Sequence, residues 1–293
     1  MSINLNRLSL GTVQFGLAYG IANQVGQVSR SEANAMMMFA KANGFDALDT
    51  ASAYGVSEER LGEIGINSFK VVTKLPDMPE GCESIGCWVL EQVHASLERL
   101  GLNEVYGLLL HRPENLLRSS GPELYKALQD LKVSGLVQKI GISIYSPSEL
   151  DTLTSNYRFD LVQAPFNLID RRLHSSGWLY RLNDLGVEVH TRSTFLQGLL
   201  LIAQTEIPHK FSSWSNLWQT WHTWLSNNDV SALNASLSFP LSFPEVDRVV
   251  VGADSLAQLS EILKCSKLPS NIDLPNLQSD DLKLINPTNW NLL

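Results

Sequence analysis

The chain has 293 residues, 44% of them hydrophobic and 8% aromatic, enough apolar material for a sizeable core, which excludes global disorder. Its 22 basic and 30 acidic residues leave a formal charge of −8 with no clustered basic face, so nucleic acid is not an expected partner. Three cysteines (Cys82, Cys87, Cys265) form neither a closed disulfide set nor a metal pattern, and no apolar run approaches the ~20 residues of a membrane span or a leader peptide, so a cytoplasmic protein without metal or membrane partner is expected.

Short β-branched runs alternate with segments of helical period from one end of the chain to the other. The first expected strand is Leu8 to Gly11, followed by a helix from Arg30 to Asn43 with Ser29 as N-cap and Gly44 as stop signal. Phe45 to Asp49 reads as the second strand, Glu58 to Gly65 as a short helix, and Lys70 to Lys74 as the third strand, stopped by Pro76. Val89, Val93, Leu97 and Leu100 line one face of a helix that Gly101 closes. Val105 to Leu110 is the fourth strand, Pro122 to Ser134 a helix and Lys139 to Ser143 the fifth strand, after which Ser146-Pro147 opens a helix with Pro at its first position. Asp160 to Ala164, Val187 to Ser193 and Arg248 to Val251 complete the strands, with helices at Trp178 to Leu185 and around Leu256, Leu259, Ile262 and Leu263.

Between the last two strands, Trp214, Trp218, Trp221 and Trp224 recur at helical spacing. Packing of that helix against the body is the leading reading, and stacking on a ligand the other. The tail, with Pro269, Pro275, Pro287 and Trp290, is too apolar to stay wholly solvated.

Eight strands in 293 residues give about 37 residues per unit, the proportion of a (β/α)₈ barrel. One domain over residues 1–293 is expected, with a barrel core at about 8–265 and a tail at 266–293. The rival, an open doubly wound sheet, would announce a dinucleotide through Gly-x-Gly-x-x-Gly, and Gly11-Thr12-Val13-Gln14-Phe15-Gly16 lacks the second glycine.

A barrel of this kind carries its chemistry at the C-terminal ends of its strands. There the second strand delivers Asp49 and, in the loop after it, Tyr54; the third delivers Lys74 and the fourth His111. A phenol with an ordinary pKa of about 10 needs tuning to act near neutrality. An ammonium beside it would lower that pKa, and a carboxylate would keep the ammonium charged and oriented. An imidazole could hold a carbonyl oxygen where negative charge develops. Each residue alone has a structural explanation; three adjacent strands supplying functional groups to one rim is a stronger signal.

The stretches Leu10–Gly16, Leu48–Glu58, Val72-Thr73-Lys74 and Leu109-Leu110-His111-Arg112-Pro113 resemble the aldo-keto reductase family, in order, over about residues 8 to 265. The resemblance implies a (β/α)₈ barrel that binds NADP or NAD without a Rossmann domain and reduces an aldehyde or ketone to an alcohol, with Asp49, Tyr54, Lys74 and His111 as catalytic tetrad and Tyr54 as proton donor. It further implies Ser143 and Gln163 at the nicotinamide carboxamide and Gly11, Thr12 and Asp49 around the cofactor. Arg192, Ser193, Leu196 and Gly198 would lie along its nicotinamide and pyrophosphate, and Gly252, Ala253, Asp254, Ser255, Gln258 and Glu261 near its adenosine. The start of the last helix would form a phosphate site capped by Ser255.

Four positions depart from the family pattern. Ile144 replaces an Asn, Arg192 a Tyr that stacks on nicotinamide, Asp254 a Lys or Arg, and Ile262 an Asn. Asp254 would repel a 2′-phosphate, which leans the cofactor towards NAD. Tyr19, Arg112, Asn167, Arg171 and Arg172 are candidates for the mouth, beside Tyr54 and His111, with a hydroxylated or sugar-like carbonyl as substrate; Arg171 and Arg172 could instead pair with surface acids. The alternative functions are a non-catalytic nucleotide-sensing barrel and a phosphosugar barrel without nicotinamide.

Overall fold

The computed structural model describes residues 7–267 and 273–293. Eight parallel strands close into a barrel in sequential order, with the last pairing back onto the first, the arrangement that right-handed crossovers produce most simply. The strands are β1 Leu8–Gly11, β2 Ala47–Asp49, β3 Lys70–Leu75, β4 Val105–Leu110, β5 Val137–Ser143, β6 Leu161–Pro165, β7 Glu188–Arg192 and β8 Arg248–Val251. The principal helices are α1 Arg30–Ala42, α2 Ser57–Ile64, α3 Ile85–Leu100, α4 Gly121–Val133, α5 Ser148–Asn156, α6 Trp178–Asp184, α7 Ser215–Asn228, α8 Ala232–Leu241 and α9 Leu256–Ser266. This closed barrel sets aside the doubly wound sheet.

Local chemistry accounts for the boundaries. The Ser29 hydroxyl accepts the Glu32 N–H at 3.2 Å to start α1, and Gly44 follows its end at φ +84°. β2 starts at Ala47 rather than Phe45, whose N–H is instead given to Ala40 at the end of α1 (3.0 Å). β3 runs one residue past Lys74, to Leu75. α5 opens at Ser148, not at Pro147, because the Glu149 carboxylate accepts the N–H groups of Tyr145 (2.8 Å) and Ser146 (2.6 Å) and folds that loop back on the helix start.

Sequence periodicity does not reveal α8. Every residue from Ala235 to Leu241 is buried and Pro240 sits inside the helix, so no polar stripe marks a helical period. α7, by contrast, follows the tryptophan spacing. Trp218 and Trp221 are buried and donate their indole N–H groups to the Phe211 and Leu200 carbonyls, each at 3.1 Å. These tryptophans pack the helix onto the body.

The described tail docks beside them. Leu277, Leu284, Ile285 and Trp290 are buried, the Trp290 ring lies 4.9 Å from that of Phe211, and the Trp214 indole donates to Asp281 at 3.2 Å. Pro269 lies outside the described residues.

Inside the barrel, Val72, Leu109 and Leu161 form a small apolar layer. Each precedes a polar residue of the upper rim by two positions (Lys74, His111, Gln163) and so shares its face of the strand. The layer is a dry floor under the C-terminal rim. Among the described residues no helix is long and apolar enough to cross a membrane.

Candidate active site

The floor carries a buried ion pair. Lys74 Nζ donates to both oxygens of Asp49, at 2.9 and 2.8 Å, and to the Thr50 carbonyl at 2.9 Å; only 1% of the Lys74 side chain is exposed. Bidentate contact and a third acceptor are what a buried ammonium needs to remain charged. Burial disfavours that charge, but Asp49 and the Tyr54 hydroxyl more than offset it and hold the lysine above its ordinary pKa. The network continues across the rim: Gln163 Nε2 donates to Asp49 Oδ1 at 2.6 Å and the Ser143 hydroxyl to Gln163 Oε1 at 3.3 Å. Four strands, β2, β3, β5 and β6, are thereby locked at their C-terminal ends.

Tyr54 stands over this pair, its ring centroid 5.0 Å from Lys74 Nζ. Its loop is fixed by close backbone approach: a Cβ on Gly16 would lie 1.6 Å from the Tyr54 carbonyl oxygen, so only glycine fits there. The Ser57 N–H is given to that same carbonyl at 3.1 Å, while the Ser57 hydroxyl donates to the Thr12 carbonyl at 2.8 Å. Ser52 donates to the Lys74 carbonyl at 3.1 Å and ties the loop to β3. His111 faces the phenol edge-on, with ring centroids 6.1 Å apart.

The electrostatics correct one expectation. Lys74 does favour the phenolate, but desolvation is the larger influence and leaves the Tyr54 pKa above that of an ordinary tyrosine. Tyr54 is therefore a neutral hydroxyl at pH 7, able to give a proton. Burial, reinforced by Lys74 and Arg192, lowers His111 to about 4, so its imidazole is neutral too.

These groups open into a cavity of about 720 Å³ at the C-terminal rim. At one end lie Asp49, Tyr54, His111, Ser143, Gln163 and Arg192; at the other, Asp254, Gln258 and Glu261. Gly11, Thr12, Tyr19, Ser193, Gly198, Gly252 and Ala253 also line it. The remaining candidates lie elsewhere. Leu196 is fully buried and Ser255 caps α9, neither on the cavity wall. Asn167 is a loop brace, donating to the Ser193 carbonyl at 3.0 Å and accepting from Ile169 and Asp170 at 2.9 Å. Arg112 faces Glu114 at 3.9 Å, Arg172 pairs with Asp170 at 2.8 Å, and Arg171 holds the Pro275 carbonyl of the tail at 2.8 Å. None of these three arginines lines the cavity.

At the start of α9, the expected phosphate site, Ser255 is the cap and several amides have acceptors within the chain. The Leu256 N–H is given to Glu32 at 2.6 Å, the Asp254 N–H to Gln258 at 2.7 Å, and the Gln258 N–H to Ser255 at 3.2 Å.

Wall residues that the sequence reading did not single out include Gln14, Asn23, Tyr145, Gln197 and Ser231 to Leu233 at the start of α8. Asn23 belongs to a strap after β1. Ile21 N–H donates to the Gln197 carbonyl (3.0 Å), Gln197 Nε2 to the Tyr19 hydroxyl (3.2 Å), and Asn23 Nδ2 to Asp254 Oδ1 (3.1 Å). Because β8 lies between β1 and β7 in the barrel, a strap joining the β1 and β7 loops passes over the end of β8. A Cβ on Gly198 would meet that of Ala22 at 2.6 Å, so the contact needs a glycine, which also adopts φ +90°.

Residues 7–274 match the profile of the Aldo/keto reductase family. The chain is 26% identical over 247 residues to an uncharacterized oxidoreductase of Bacillus subtilis, an alignment spanning 76% of this chain and 78% of that protein. It is 32% identical over 137 residues to an aldo-keto reductase of Mycolicibacterium smegmatis, spanning 45% of this chain and 46% of that one. Among solved structures, the holo form of an aldo-keto reductase from Bacillus halodurans superposes with a TM-score of 0.72 at 20% identity, covering 90% of this chain and 87% of that one, a likeness of fold. With a family profile that runs from before β1 to beyond α9, laid over a closed barrel whose rim gathers a phenol, an ammonium, a carboxylate and an imidazole, the chain belongs to the aldo/keto reductase family of oxidoreductases.

Proposed function

We propose that this protein is a nicotinamide-dependent carbonyl reductase that converts an aldehyde or ketone to an alcohol, with Tyr54 as proton donor and NADH preferred over NADPH. The observation that carries the reading is the pairing of two neutral hydrogen-bonding groups, Tyr54 and His111, over the buried Lys74–Asp49 pair at one end of a long groove.

The groove fits a dinucleotide on its own features. Its volume of about 720 Å³ is in the range of cofactor sites. Gln14 Oε1 is buried at its wall without a hydrogen-bond partner among the described residues, an acceptor that a polar ligand group can satisfy. Ser143 and Gln163 offer an amide-recognising pair beside the reactive end. A reduced nicotinamide bound there supplies the hydride.

The chain's own groups do the rest. His111 and Tyr54 hold the carbonyl oxygen, and the raised Tyr54 pKa keeps its proton in place until negative charge develops on that oxygen. After transfer the phenolate is left against the Lys74 ammonium, which Asp49 orients. The tyrosines at this end, Tyr19, Tyr54 and Tyr145, suit a hydroxylated or sugar-like carbonyl, since each pairs an apolar ring with a hydroxyl.

At the far end, the charged residues of the wall are Asp254 and Glu261, and among the described residues no lysine or arginine lines that end. Two of the first α9 amides, those of Leu256 and Gln258, are already engaged. A 2′-phosphate would meet two carboxylates, whereas a 2′-hydroxyl can donate to one.

Tryptophan-fluorescence titration with NADH and NADPH, followed by an aldehyde and sugar panel with wild type and Tyr54→Phe, tests the proposal. Tighter NADH binding is expected, with reduction that falls about 10²–10⁴-fold in the variant while cofactor affinity is kept. Full activity in Tyr54→Phe would remove the phenol as donor. Binding with no turnover of any carbonyl by wild type would favour the nucleotide-sensing alternative.

A further inference from the structure

Charge at the reactive end of the cavity is unevenly balanced. Lys74 is neutralised by the bidentate carboxylate of Asp49, and with a pKa near 4 His111 carries no charge at pH 7. Arg192 remains. Its guanidinium donates to the Ile144 carbonyl at 3.0 Å and the Ser193 hydroxyl at 3.4 Å, and lies 4.7 Å from the centroid of the Tyr145 ring. All three partners are neutral, and Arg192 forms no ion pair among the described residues.

Its field reaches the reacting groups, since it favours loss of a proton at both Tyr54 and His111. One carboxylate, Glu149, also senses Arg192. That group does not line the cavity, and it is turned to the Tyr145 and Ser146 amides at 2.8 and 2.6 Å. The reactive end therefore carries an uncompensated positive charge, held rigidly by a carbonyl and an aromatic face.

That charge bears on the two redox states of a nicotinamide differently. In reduction the C4 hydrogen of the ring leaves with its electron pair and forms the new C–H bond. The carbonyl π electrons take up the Tyr54 proton, and the ring changes from neutral to +1. A fixed cation at this end raises the free energy of the oxidised ring and leaves the reduced one untouched. We propose that Arg192 is the residue that sets the redox preference of the site, holding reduced nicotinamide more tightly than oxidised and speeding release of the oxidised form after hydride transfer. The inference rests on the nucleotide reading above, but adds a property that the Asp49–Tyr54–Lys74–His111 group does not supply, because that group is charge-balanced before the reaction.

The test is a binding measurement without substrate: dissociation constants of NAD+ and NADH for wild type, Arg192→Gln and Arg192→Lys, by tryptophan quenching. Glutamine can still donate to the Ile144 carbonyl but has no charge; lysine keeps the charge. The ratio Kd(NAD+)/Kd(NADH) is expected to fall by about ten-fold in Arg192→Gln and to stay within about three-fold of wild type in Arg192→Lys. A ratio unchanged in Arg192→Gln overturns the inference, as does loss of all nucleotide binding in both variants, which would make Arg192 a structural brace. Failure of wild type to bind either form would instead bring down the nucleotide reading itself.

Discussion

The two ends of the cavity are built on different principles. At the reactive end, Asp49, Lys74, Ser143 and Gln163 stand on strands and form one chain of hydrogen bonds across four of them. At the other end, Asp254 follows β8 in a loop, and its partner Asn23 comes from the strap after β1. On the proposed function the proton donor Tyr54 stands in a loop, but Ser52 ties that loop to β3 and the strand-borne network lies directly beneath the phenol, which leaves it little displacement. On the same reading, a ribose at the far end would be recognised by loop residues.

This contrast can be broken most directly at Lys74. Lys74→Met leaves the Asp49 carboxylate buried without its cation, and the unfolding free energy is expected to fall by about 3–5 kcal/mol in urea denaturation. Asp254→Ser should change it by no more than about 0.5 kcal/mol; equal losses at the two positions would refute the asymmetry.

The next effect is one of pH. His111 has a folded pKa of about 4 against an ordinary 6.5. Between those values the unfolded chain binds more protons, so stability falls as pH drops through the window, by about 3 kcal/mol at most. In His111→Gln that slope should flatten between pH 6.5 and 4, as read from thermal melts across the range; an unaltered slope would mean that the imidazole is not held neutral by its surroundings.

The smallest expected change sharpens the far end. Asp254→Ser removes one of the two carboxylates and frees the Asn23 amide, so the affinity for NADPH relative to NADH should rise by about ten-fold in fluorescence titrations. An unmoved ratio would transfer the discrimination to Glu261.

Much of the reactive end was legible in the sequence because strand ends are. A short strand-length run ending in a polar residue places that residue on the rim of a barrel: Lys74 closes a β-branched run, His111 follows the apolar Leu108 to Leu110, and Asp49 closes the brief Ala47-Leu48 strand. Tyr54 needed its motif, since nothing in a loop sequence says where a phenol will point. What escaped depended on contacts distant in the chain. Gln14 and Asn23 become wall residues only once the first loop folds against β7 and β8, and α8 lacks a polar face because it is buried all round. The direction of the Tyr54 shift escaped for a similar reason. A sequence can suggest a neighbouring ammonium, but the desolvation that outweighs it belongs to the assembled cavity.

The strap has a consequence for timing. A dinucleotide seated along Gly252 to Asp254 would lie beneath the segment that joins Ile21 to Gln197 and Asn23 to Asp254, and those bonds must part before it can slip out sideways. On the proposed function, small carbonyls and alcohols exchanging beside His111 would face no such bar. On that reading turnover would run in a fixed order, nucleotide first in and last out, at a pace set by how often a few backbone and amide contacts at the roof let go.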